Sequence, residues 1–219
     1  MLFEVLGRQV AVEPRLVICA AFTGRQRETV MQHLREVAHL GVKLPDRVPS
    51  FFAVTPDLLT QSPEIIVQGD RTSGEIEMAL WKSGGELFVS LCSDHTDRDL
   101  ESYSIPKSKQ VCPKVISTWA LPLNQCQEIW DDIVIRASVC EDGEWQVYQQ
   151  GAMALLLGPA ALLQELGRDL NDGEFLFGGT IPTTRGFISW SPDYRLEAIL
   201  PDGRVLSHNY RVVHIPESL

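Results

Sequence analysis

A mixed α/β fold that is mainly β follows from three features of the 219-residue sequence. Short apolar runs alternate with polar residues at a period of two, turns rich in Gly, Pro and Asp recur between them, and few stretches carry helical spacing. The length suits a single domain over residues 1–219 with a substantial core.

Taken in order, residues 2–12 and 16–21 read as strands. Thr23 is placed to cap a helix carrying Val30, His33, Leu34, Val37 and Leu40, and Gly41, Pro45 and Pro49 end it. Residues 51–54 and 64–67 read as strands, and 68–74 as a loop. An antiparallel hairpin follows, with Ile76, Met78 and Leu80 on one face of its first strand and Glu75 and Glu77 on the other. Ser83-Gly84-Gly85 turns it, and the returning strand delivers Asp94. Residues 133–139 and 145–148 form a second hairpin about Asp142-Gly143, and Pro159 opens a helix to about Asp169. Residues 174–177 run as a strand into Gly178-Gly179-Thr180, and a last hairpin joins 194–200 to 204–214 through Pro201-Asp202-Gly203.

Composition narrows the function classes. Hydrophobic residues make up 44% and charged residues 22%, as in folded rather than disordered chains. A net charge of −10 argues against nucleic acid, yet leaves room for a small anion beside a bound cation. Glu4, Arg8, Glu13 and Arg15 break the N-terminal apolar residues, so no signal peptide is read, and no apolar run approaches the ~20 residues of a membrane span. The five cysteines lack a C-x-x-C pair and read as free thiols in a reducing cytoplasm.

Glu75, Glu77 and Asp94 converge from the hairpin and repel one another unless a cation sits between them. An all-oxygen set favours magnesium or manganese, with calcium a further option. The plain alternative is a solvated strand face and a turn aspartate. Arg98 follows Asp94 at helical spacing, where its fork suits a substrate carboxylate or an ion pair with Asp97 or Asp99. Backbone N–H groups at Gly179 and the hydroxyl of Thr180 suit an anion. His33 and Glu36 lie three apart on one helix face.

The order Pro49-Ser50-Phe51-Phe52, Glu75-x-Glu77, Ser93-Asp94-x-x-Asp97-Arg98-Asp99, Lys107-Ser108 and Gly179-Thr180-Ile181-Pro182 resembles the fumarylacetoacetate hydrolase family over about residues 48–215. The resemblance implies a rolled β-sandwich, a homodimer, and Glu75, Glu77 and Asp94 as metal ligands. It implies a lid over residues 22–48 whose His33–Glu36 pair activates water, although family members place that pair nearer the preceding strand; His39 is the next choice. The family lysine precedes a serine, which selects Lys107 first and Lys109 second. The implied function is metal-dependent cleavage of a small anionic 2-oxo acid through a metal-stabilised enolate, foremost hydrolysis of a C–C bond. Decarboxylation or tautomerisation, dehydration of a 2-keto-3-deoxy sugar acid, and a non-catalytic metal-binding relative are the alternatives.

Overall fold

A computed structural model describes residues 1–39 and 45–218, with the side chains at 32, 33 and 36–39 outside the described residues. Among the described residues the chain forms a ten-stranded sheet, a five-stranded sheet, a two-stranded ribbon and a few short helices. No helix among them is long and apolar enough to cross a membrane.

The larger sheet centres on the antiparallel hairpin of Ile76–Ser83 and Glu86–Asp94. Gly84 and Gly85 turn it with φ of +59° and +80°, a region that side chains with a Cβ rarely enter. Trp119–Pro122 and then Leu2–Val5 extend the sheet on one side; Glu174–Phe177, Leu16–Ala21 and Ser50–Val54 extend it on the other.

Alternation sorts the two faces of this sheet. Ile76, Met78, Leu80, Val89 and Leu91 pack into the core between the sheets, while Ala79, Trp81, Phe88 and Cys92 join a second core. Phe3, Val17, Val54 and Phe175, from other strands of the same sheet, meet them there. The sheet therefore curls around its own inner face, which is the expected roll. Trp81 stacks on Phe3 at 4.3 Å and on Phe88 at 4.5 Å, and its indole N–H donates to Ser90 Oγ at 2.9 Å. Burying a ring of this size contributes roughly 3 kcal/mol.

The smaller sheet runs Glu144–Ala152, Val134–Glu141, Asp193–Ile199, Val205–Ile215 and Glu64–Gln68. Its buried Gln149 ties the layers together: Oε1 accepts from Ile76 N–H at 3.0 Å, and Nε2 donates to Thr180 Oγ1 at 2.9 Å. Tyr210 reaches across in the same way, its hydroxyl 3.0 Å from Ser93 Oγ. A side chain at Gly74 would collide with that hydroxyl, which explains the glycine.

Three expectations change. Residues 2–12 are a tight hairpin, Leu2–Val5 with Arg8–Ala11, turned through positive φ at Leu6 and Gly7. Thr23 does not cap the helix, which begins at Arg27; its hydroxyl donates to Gly178 O at 2.8 Å instead. The second helix closes early, at Leu166, because Gly167 turns left-handed. Leu40 and residues 41–44 lie outside the described residues.

Candidate metal centre

The hairpin register sets Glu77 opposite Cys92, and Asp94 N–H donates to the Glu75 carbonyl at 3.0 Å. Glu77 and Asp94 thus share the inner face of the roll with Ala79 and Cys92, at the hairpin end away from its turn. Glu75, Glu77 and Asp94 each offer an oxygen within 4.8 Å of the others. Asp94 is fully buried and Glu77 nearly so.

Two lysines close on Asp94. Lys109 Nζ lies 2.5 Å from Oδ2 and 3.4 Å from Glu75 Oε2. Lys114 Nζ lies 3.1 Å from Oδ1, while donating to the carbonyls of His95 at 2.6 Å and Cys112 at 3.0 Å. Among the described residues Oδ1 accepts no hydrogen bond, so the Lys114 contact is an ion pair without hydrogen-bond direction. An orphaned buried oxygen beside two further carboxylates is a hard-donor set that fits magnesium or manganese.

Charge and burial pull these groups apart. Burial drives the Glu77 carboxyl well above its ordinary value, and the Asp94 charge adds to this, against the Lys109 charge and one N–H from Gly179 at 2.8 Å. Burial works the same way on Asp94, but Lys109 and Lys114 outweigh it and hold that carboxyl low. Glu75 is likewise held low against burial, by Lys109 and Arg98. Burial opposes the charge on Lys109, yet Asp94 and Glu75 raise its ammonium well above the usual range. His95 is fully buried between Thr72 Oγ1 at 2.9 Å and Tyr210 at 3.2 Å; burial, then Lys114, keeps it neutral.

The choice between the lysines is corrected: the buried one is Lys109, and Lys107 is exposed on another side of the Ile105–Gln110 helix. Residues two apart on a helix do not share a face. Arg98 is also reassigned. It donates through Nη1 to Glu75 at 2.9 Å and to Glu101 at 2.8 Å, and through Nε to Ser73 at 2.7 Å, so it steers Glu75. Asp97 caps the Arg98–Tyr103 helix instead, and Asp99 pairs with Arg71. The Gly179 N–H is committed to Glu77, and the Thr180 hydroxyl to Ile76 O at 2.8 Å, so this turn braces one carboxylate of the triad.

His33, Glu36 and His39 sit on the Arg27–His39 helix with side chains outside the described residues. The base of the expected lid is anchored, because Thr23 O accepts from Leu157 N–H at 2.8 Å and Arg25 bridges to Asp131. Lys114 was missed by sequence reasoning. A lysine opening the apolar Lys114–Ile116 strand looks solvent-facing until its register opposite Asp94 is known. A cavity of about 410 Å³ walled by Arg47, Phe51, Phe52, Tyr103 and Ile105 is lined by none of the three carboxylates or two lysines, and reaches them only through Glu101, which accepts from Arg98.

Comparison with known proteins places this architecture. A proposed fumarylpyruvate hydrolase from Burkholderia cenocepacia superposes with a TM-score of 0.68 at 17% identity, over 98% of this chain and 92% of that one. A proposed fumarylacetoacetate isomerase/hydrolase from Oleispira antarctica gives 0.67 at 17%, over 96% and 99%. A 2-keto-3-deoxy-D-arabinonate dehydratase complexed with magnesium and 2,5-dioxopentanoate gives 0.63 at 17%, over 93% and 74%. No curated protein matches the sequence. The family model described as "Protein of unknown function (DUF2848)" matches residues 20–210, so the chain belongs to that family and is built on the fumarylacetoacetate hydrolase fold.

Proposed function

We propose that the protein is a magnesium- or manganese-dependent enzyme acting on a small 2-oxo acid, foremost by hydrolysing a C–C bond. The observation that carries this reading is the convergence of Glu75, Glu77 and Asp94 within 4.8 Å, with Lys109 against them. Those carboxylates would hold the ion, which when bound would act as a Lewis acid toward carboxylate and keto oxygens. Lys109, fixed by Asp94 and Glu75, offers a positive charge where negative charge develops on the substrate. Arg98 holds Glu75 in place, and the Gly179 N–H does the same for Glu77. His33, oriented by Glu36, would activate the attacking water, and the segment over residues 22–48 would close above it. The magnesium-bound dehydratase of the same fold supports a second reading, elimination of water from a 2-keto-3-deoxy acid. Either reaction suits a cytoplasmic homodimer.

Lys109→Met should lower turnover of a 2-oxo acid by about 100-fold or more, the usual loss when one charge-stabilising group is removed. Lys107→Ala should leave it within about twofold, as at other exposed positions. Steady-state assays over a panel of diketo, 2-oxo and 2-keto-3-deoxy acids with magnesium test this. No turnover of any of them, with or without the ion, would leave only the non-catalytic relative.

A further inference from the structure

Lys114 differs from Lys109 in what it can do when an ion arrives. Lys109 sits on a six-residue helix, whereas Lys114 lies on a strand paired on both sides, with Cys92–Asp94 and with Leu59–Thr60. Its ammonium is fully buried, held by the His95 and Cys112 carbonyls and set 3.1 Å from Asp94. It is a fixed positive charge beside the ligand set. With an ion bound, the carboxylates of Glu75, Glu77, Asp94 and Glu101 would all be ionised, against the three cations Arg98, Lys109 and Lys114. A divalent ion would then leave the loaded site one unit positive, with Asp94 and Lys114 fully buried. One bound monoanion restores balance, and a 2-oxo acid is a monoanion that also reaches the metal with two oxygens.

We infer that Lys114 is a positioning residue that makes the divalent ion and a chelating anion bind together, each weakly without the other. The inference rests on the metal-dependent reading above. With a neutral side chain at position 114 the metal-loaded site would already balance, so the ion would no longer need the anion. Lys114 acts here only through Asp94 and the local charge.

Calorimetric titration of the full chain with Mn²⁺ tests it. In the wild type, saturating pyruvate should tighten Mn²⁺ binding by roughly tenfold or more, the size of a typical coupling between two sites. Acetate, a monoanion that does not chelate through a keto oxygen, should not; nor should pyruvamide, which has the keto oxygen but no charge. Lys114→Met should bind Mn²⁺ alone roughly tenfold tighter, and pyruvate should add less than about threefold. Lys114→Gln, which keeps a donor for the two carbonyls, replaces it should the Met variant fail to fold. Equal Mn²⁺ affinity with and without pyruvate in the wild type overturns the coupling, and equal gain from pyruvamide overturns its charge origin. Unchanged coupling in a folded neutral variant removes Lys114 from it. Absence of Mn²⁺ binding under every condition sinks the metal-dependent reading itself.

Discussion

Asp94→Asn should destabilise the folded protein by about 3–5 kcal/mol, the range for breaking a buried ion pair by removing one partner. Asp94 is fully buried and is the shared counter-charge of Lys109 and Lys114. Without its charge, Lys114 keeps only two carbonyls and Lys109 keeps Glu75 at 3.4 Å. Urea denaturation should show the midpoint falling by about 1–2 M if the slope stays in the common range of a few kcal/mol/M. In the double variant with Lys114→Met, part of the loss should return, because one orphaned charge has gone with its partner. A single-variant loss below about 1 kcal/mol would mean the ammonium groups are not relying on Asp94.

The second large effect concerns protons. Glu77 is held well above its ordinary value of 4.5, so the folded metal-free protein keeps a proton there that the unfolded chain releases near that value. Between those two points the native state binds more protons, and its stability falls as pH rises. Asp94 has the opposite sign: its stability contribution is present above its ordinary 3.8 and is lost as pH falls toward its lowered folded value. A metal ligand must be deprotonated, so Mn²⁺ uptake should expel the Glu77 proton. Below the folded value of Glu77, apparent affinity should rise about tenfold per pH unit, with about one proton released per ion. Calorimetry in buffers of different ionisation enthalpy reads the proton directly. Glu77→Gln should abolish the release and weaken binding by about 100-fold. Proton-free binding by the wild type at neutral pH would show that Glu77 is ionised before the ion arrives.

Much of this centre was visible in the sequence because β-structure writes its faces in alternation. Ile76, Met78 and Leu80 against Glu75 and Glu77 could be sorted without coordinates, and the Gly84-Gly85 turn fixed which strand would return beside them. What alternation cannot supply is the phase of a short helix or the partner of a short strand. The choice between Lys107 and Lys109 depended on how six residues rotate against the sheet. Lys114 depended on a three-residue strand crossing to Asp94. Arg98 lies near the carboxylates, and of its partners only Glu101 is a local i,i+3 neighbour; Ser73 and Glu75 are brought to it by the packed fold. The 2–12 stretch misled because a turn through Leu6 lacks the usual turn residue at its first position.

The Gly179 N–H that grips Glu77 comes from 102 residues further along the chain, on a segment docked between Ile76–Ser83 and Leu16–Ala21. Closing so long a loop is slow relative to forming the central hairpin. During synthesis, then, the acidic hairpin exists for some time as a patch of mutually repelling charge, and it gains its brace only after the Glu174–Phe177 strand has been made and inserted. On the metal-dependent reading, the three carboxylates would come together early, on one hairpin, and the backbone brace on Glu77 would arrive late, with the segment that follows Glu174–Phe177.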